Sequence, residues 1–275
     1  MKIYGNGLDI DLFGPAISHN YSSSYGYPKS FDEASILIEK ILEKINWKNS
    51  AIKNAIRTKL RSSLIITFSD YFSESVKFGA TKWGGTADLP TNNSIQIEID
   101  DNLNLLCQIN LEQINTFDLH PLLPKKGILY FFFQEDTSFA YQSILKVHYA
   151  PDASIIQYKV TNGYFGRFRP VFTFPNNMTK NYNELEEQFK EDGENLQLFT
   201  KELHQAMGYF WYSTLLLAEP IPMQGPPFET SPNHPERVVP ILDFAYREPK
   251  YHVGIFPTDL ENLEFDKIVF TGAGS

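Results

Sequence analysis

The feature that most constrains this chain is the shortness of its apolar runs. From residue 64 onward they come at 64–68, 95–99, 105–111, 128–133, 144–149 and 155–160, each of strand length and rich in Ile, Leu, Phe or Tyr. The segment 95–99 reads Ile-Gln-Ile-Glu-Ile, a strict alternation that predicts one buried face and one wet face. Two further strands are predicted at 238–244 and 267–270. The chain carries 22 Phe and 15 Tyr, and aromatic side chains pack well on a pleated surface. The most apolar stretch, 127–133, is one strand long, far short of the ~20 apolar residues that span a bilayer as a helix.

Ahead of the strands the periodicity is helical. Residues 1–30 are rich in Gly, Ser, Asn and Tyr and read as an irregular lead-in. Ser30 and Glu33 form a capping box, and Ala34, Leu37, Ile38, Ile41 and Ile45 follow on one face, predicting a helix over 31–46. A second helix is predicted over roughly 51–61. Helical pattern returns at 176–193, where Asn181 and Glu184 make a second capping box and Gly193 is the expected stop. Leu196, Phe199, Leu203 and Met207 continue with a further helix, and a proline-rich stretch covers 220–235. The expected fold class is α+β: a β-rich, mostly antiparallel multi-strand domain at 64–275, with 1–63 supplying the lead-in and two helices packed on its core. A loose echo adds to this. The strand pair 105–110 and 127–132 resembles the pair 239–244 and 251–256, which admits two pseudo-symmetric halves at about 64–170 and 171–275.

Charge narrows the function. The net charge is −9, whereas phosphate neutralisation needs clustered Lys and Arg, so no nucleic-acid partner is expected. Cys107 is the single cysteine, which excludes an intrachain disulfide and a Cys-based zinc cluster and fits a reducing compartment. The opening Met1-Lys2-Ile3-Tyr4-Gly5-Asn6 lacks a signal peptide's apolar core. A cytoplasmic location, with no membrane partner, is expected.

Five motifs stand in order from about residue 64 to the end. Lys82-x-Gly84-Gly85-Thr86-Ala87-Asp88-Leu89-Pro90 leads into Leu105-Leu106-Cys107-Gln108-Ile109-Asn110, and then into Leu123-Pro124-x-x-Gly127-Ile128-Leu129-Tyr130-Phe131-Phe132. His204-Gln205-Ala206-Met207-Gly208-Tyr209 with Met223-Gln224-Gly225 follows, and Asp259-Leu260-x-Asn262-x-x-Phe265 closes the series. In this order they resemble the YwqG-like family. Ala87 stands where that family usually has Pro, no aromatic-Pro pair follows Pro90, and Phe210-Trp211-Tyr212 replaces a Pro after Tyr209. The resemblance implies a multi-strand α+β domain and carries no agreed activity.

Candidate chemistry is sparse. Gly84-Gly85 with Asp88 has the paired glycines of an anion nest but neither Gly-x-Gly-x-x-Gly nor a P-loop Lys-Ser/Thr, so a tight turn at positive φ competes with it. Gln108 and Asn110 interrupt an apolar strand, and buried amides must be hydrogen-bonded. His204 near a helix end suits either a base or a dipole partner. No His-x-x-x-His, His-Glu-x-x-His or Gly-x-Ser-x-Gly occurs, so no metal and no cofactor are expected. Cys107 in an apolar strand reads as inert packing. Phe165-Gly166-Arg167-Phe168-Arg169 reads as an aromatic turn with solvated arginines, against a base-stacking alternative. If the halves are related, Gly84, Gly85, Asp88, Gln205, Tyr209 and Gln224 would line a shared groove between them. Two functions remain open: a non-enzymatic binding or protein-interaction module, in which the proline-rich stretch near Trp211 and Phe228 could dock a protein partner, and a hydrolase or transferase whose His204, Asp88 or Glu229 converge only in three dimensions.

Overall fold

Ser30 starts the first helix. Its hydroxyl accepts from the Glu33 amide at 3.2 Å, while the Glu33 carboxylate reaches back to the amide of Lys29 at 2.8 Å, one residue earlier than in the expected box. The computed structural model describes residues 27–72, 78–90, 103–136, 142–152, 163–209, 213–221, 228, 238–245 and 249–273. The helices described are α1 (Phe31–Lys44), α2 (Ala51–Lys59), α3 (Leu111–Asn115), α4 (Lys180–Gln188), α5 (Gly193–Met207) and α6 (Pro257–Glu261). The strands are β1 (Arg61–Phe72), β2 (Lys82–Trp83), β3 (Asn104–Asn110), β4 (Ile128–Gln134), β5 (Ile144–Ala150), β6 (Tyr164–Thr173), β7 (Thr214–Leu216), β8 (Val239–Ala245), β9 (Lys250–Ile255) and β10 (Val269–Ala273). The predicted strands at 95–99 and 155–160 lie outside the described residues.

The ten strands among the described residues form one antiparallel sheet in the order β10-β9-β8-β7-β1-β6-β2-β3-β4-β5. The sheet curls into a nearly closed barrel, bringing its two ends face to face across an aromatic interior. Phe133 of β4 meets Tyr251 of β9 with ring centroids 5.0 Å apart, and Tyr149 of β5 meets Phe265 at 5.3 Å. Alternation sorts the faces: Leu64 and Ile66 of β1 point into the barrel, while Ile65 points out beneath the helices. There α1 presents Ala34, Ile38, Ile41 and Leu42, and α5 presents Phe199, Leu203 and Ala206. The α1 face is the one expected from its spacing, with Leu42 added and Leu37 only partly buried. A third cluster, including Leu105, Tyr130 and Phe132, covers the outside of β3 and β4.

The strand order has a regular logic. The chain runs through two series of five, β1 to β5 and β6 to β10, and strands two to five of each make a meander. The first strand of each series leaves its own meander and pairs with the second strand of the other: β1 with β7, and β6 with β2. The third strand of each bulges at a matching place, between Leu105 and Cys107 in β3 and between Pro240 and Leu242 in β8.

Two local expectations give way. Thr179, not a box at Asn181, precedes α4, and the Asn181 side chain instead accepts from Lys59 Nζ at 3.3 Å. Gly193 opens α5 rather than closing α4, because the turn Lys190–Asp192 links the two helices and the Asp192 carboxylate accepts the amides of Lys48 and Asn49 at 2.8 and 2.9 Å. Gly193 is then in right-handed helical conformation, where the stop signal needs left-handed.

Candidate functional site

The glycine motif forms a tight turn closed by a buried ion pair. Gly84 and Gly85 have φ of 63° and 73°, a region that side-chain-bearing residues avoid. The turn brings Asp88 back over β3. Its carboxylate accepts from Gly79 N, Lys82 Nζ and Gln108 Nε2, each at 2.8 Å, and Lys82 and Asp88 have side chains 0% exposed. Gln108 acts in both directions: its oxygen accepts from Asp88 N at 3.0 Å, and its amide also donates to Ala80 O at 2.8 Å. Tyr130 donates to Asp88 O at 2.6 Å. Two residues along, Asn110 donates to Gly79 O at 2.8 Å and caps α3 by accepting from Glu112 N at 2.9 Å. Burial pulls the Lys82 ammonium below its ordinary pKa, against the opposing pull of Asp88.

The second series performs the same bonding with different groups. Leu217 follows β7 as Gly84 follows β2, also at positive φ (56°), and its amide donates to the bulge carbonyl of Ile241 at 3.0 Å as Gly84 N does to Leu106 O at 2.8 Å. Four residues on, Ile221 N donates to Asp243 at 3.1 Å, matching Asp88 N to Gln108. The carbonyl of Ser213 receives Lys250 Nζ at 2.9 Å, matching Ala80 O and the Gln108 amide. Lys250 lies 3.0 Å from Asp243, and His252 Nδ1 lies 3.3 Å from it. Burial alone would push the Asp243 carboxyl up, but Lys250 and His252 together hold it below the ordinary range. Burial also depresses Lys250.

The helical motif is a capping device. Gly208 ends α5 in left-handed conformation at φ 63°, and a Cβ there would run into the Tyr27 ring. Arg169 donates to the last carbonyls, Met207 O at 2.7 Å and Gly208 O at 3.2 Å, with the Tyr27 ring 4.7 Å from its guanidinium carbon. The Phe165 to Arg169 run is therefore part of β6 rather than an aromatic turn, and of its arginines only Arg167 is exposed. His204 is pushed down to about 4 by burial, so its ring is neutral at pH 7 and does not serve as a cationic partner of the helix end. Cys107 is buried, and burial raises its thiol pKa beyond reach.

Of the residues expected in a shared groove, Gly84, Gly85 and Asp88 stand together in one loop, with Asp88 enclosed by its donors. Tyr209 is fully buried in the cluster beneath the helices, and Gln205 is exposed on α5. Gln224, Trp211 and Glu229 lie outside the described residues. A different cleft does join the two series. Its cavity of about 150 Å³ is bordered by Arg61 and Ser62 of β1, Leu119 and His120 from the loop after α3, Leu217, and Val239 of β8. Arg61 Nε lies 3.2 Å from the buried Glu219 carboxylate. Sequence reasoning missed this cleft and the Asp243–Lys250 pair. The available signal was a charged residue inside an otherwise apolar strand, which must find a partner when buried.

Among the described residues no group of three or more His, Cys, Asp or Glu is placed to hold a metal, and no helix is long and apolar enough to cross a membrane. Residues 81–218 match the family model described as Domain of unknown function (DUF1963). No curated protein matches the chain.

Proposed function

The chain belongs to the DUF1963 family, and on that premise we propose that it is a non-enzymatic binding module built from two related halves. The observation that carries this reading is where the motif side chains are spent. Lys82, Asp88, Gln108 and Asn110 bond to one another and to backbone, fastening a loop onto β3. Gly208 and its partner Arg169 finish a helix. Motif residues used in this way describe a scaffold that holds a surface in shape, with recognition left to residues outside the motifs.

Relatedness of the halves is supported by the exchanged first strands, the matched bulges and the equivalent bonds to Asp88 N and Ile221 N. On that plan the division falls between β5 and β6, somewhat earlier than at residue 170. The motif order supports a YwqG-like member within the family, and the single buried Cys107 supports a reducing, cytoplasmic setting. The acid excess disfavours nucleic acid as a partner.

One observation favours the alternative of a hydrolase or transferase. His252 Nδ1 stands 3.3 Å from Asp243, and neither ring nitrogen has a hydrogen-bond partner among the described residues, which leaves a buried imidazole beside a carboxylate with its proton sites unspent. Against it, His252 is 2% exposed and Lys250 shares the same carboxylate. The two readings part in one experiment. A thermal-shift screen of small metabolites identifies stabilising compounds, and proton NMR follows each one during prolonged incubation with the protein. Compounds recovered unchanged support the binding module; steady conversion of any of them overturns it.

A further inference from the structure

The cleft between the two series is bordered by three residues that carry hydrogen-bond donors, Arg61, Ser62 and His120. Arg61 brings a guanidinium, held from the interior by Glu219 and more exposed than that carboxylate at 26% against 5%. Ser62 brings a hydroxyl. His120 accepts the Leu122 amide at Nδ1 over 3.3 Å, so in the neutral ring the proton is on Nε2, which becomes a donor. Burial and the Arg61 charge keep that ring below its ordinary pKa, hence neutral at pH 7. Leu119, Leu217 and Val239 also border the cleft and are apolar.

Size limits the occupant. A volume of about 150 Å³ lies below the roughly 300 Å³ at which drug-sized sites begin, so the enclosed part of an occupant is a few heavy atoms. Backbone strain supplies a second, independent observation. Leu217 holds φ at 56° where the matching position of the first series has Gly84. A branched side chain in that region costs on the order of 1–2 kcal/mol, and strain of this sort persists where the surroundings hold the side chain in a required place. Glycine would adopt the turn without strain and would remove that apolar side chain.

We propose that this cleft binds a carboxylate carried on a short aliphatic chain, with Arg61, Ser62 and His120 receiving the carboxylate and Leu119, Leu217 and Val239 receiving the chain. The proposal rests on the binding-module reading and gives it a ligand class. The same chemistry is offered by a free short-chain acid and by the C-terminus of a peptide ending in a small apolar residue.

The test is a titration of the uniformly ¹⁵N-labelled full chain, followed by amide NMR. The probes are butyrate, butyramide, the peptide Gly-Gly-Val with a free C-terminus, and its C-terminal amide. The expected result is saturable shifts of the Ser62, His120, Leu217 and Val239 amides in the millimolar range or tighter, with at least ~10-fold weaker binding of the matching amide. Whichever of butyrate or the free peptide binds more tightly identifies the source. Arg61→Lys keeps a positive charge beside Glu219 but loses the planar fork, and should weaken binding roughly 10-fold with the spectrum otherwise intact. Equal binding of acid and amide overturns the proposal, as does the absence of shifts at these amides up to about 10 mM of either acid. Carboxylate binding accompanied by conversion of the probe would keep the site and remove the non-enzymatic reading. Loss of carboxylate binding, alongside unchanged ligands from the metabolite screen, would remove the site and keep that reading.

Discussion

Gln108 in the first series and Asp243 in the second stand at the same place beside a bulge and accept the same backbone amide, yet one is neutral and the other charged. An amide is both donor and acceptor, so Gln108 takes Asp88 N on its oxygen and gives its own N–H to Ala80 O. A carboxylate has nothing to give. The carbonyl of Ser213 therefore needs another donor, and Lys250 supplies it while balancing the Asp243 charge. One polar side chain has become a buried ion pair doing the same geometric work. The first series also has an ion pair, Lys82–Asp88, but it sits one layer out and fastens the loop rather than the strands.

The largest effect should come from breaking the second pair. Lys250→Met leaves Asp243 buried without its cation, and the expected loss is about 3–5 kcal/mol in chemical denaturation. Lys82→Met should cost less, about 1–3 kcal/mol, because Asp88 keeps the Gly79 and Gln108 donors. Equal costs would mean that the two pairs are not distinguished by the donors around them.

Acid separates the halves as well. The depressed pKa of Asp243 means its contribution is complete above its ordinary value of 3.8 and is lost as pH falls through the folded-state value, a limb that Gln108 cannot show. His204 acts at higher pH. Its folded pKa of about 4 lies below the ordinary 6.5, so stability present above pH 6.5 is lost as pH falls toward 4, by up to about 3 kcal/mol. Stability curves of His204→Gln should show a smaller upper limb, with the remainder coming from other histidines that burial depresses, such as His120, and an unchanged limb would assign it elsewhere.

Smaller changes sharpen the comparison at the two turns. Gly84→Ala forces a Cβ into positive φ and should cost about 1–2 kcal/mol. Leu217→Gly relieves the same strain but deletes a buried side chain, and should cost about 1–3 kcal/mol net in thermal unfolding. A loss well above that range for Leu217→Gly together with none for Gly84→Ala would break the equivalence of the turns.

Local features were legible in the sequence. The helix after Ser30 was visible from its cap and from Ile38, Ile41 and Ile45, and Gln108 and Asn110 were visible as amides that must be bonded. The short runs gave the β-rich class. What stayed hidden depends on long-range pairing. The contact of β1 with β6, the exchange of first strands and the meeting of Arg61 with His120 and Val239 join segments far apart in the chain, and periodicity carries no record of partners. Arg169 was misread because its acceptors, Met207 O and Gly208 O, belong to a helix end that only the fold brings near.

The most direct test of the account is to rewrite the second cluster as the first. Asp243→Gln combined with Lys250→Met puts an amide where the first series has Gln108 and removes the charge pair. In equilibrium denaturation the double variant should recover at least ~2 kcal/mol of what Lys250→Met alone loses, since the amide can serve both Ile221 N and Ser213 O. A double variant no more stable than Lys250→Met would contradict the claim that the two halves solve one hydrogen-bonding problem in two chemistries.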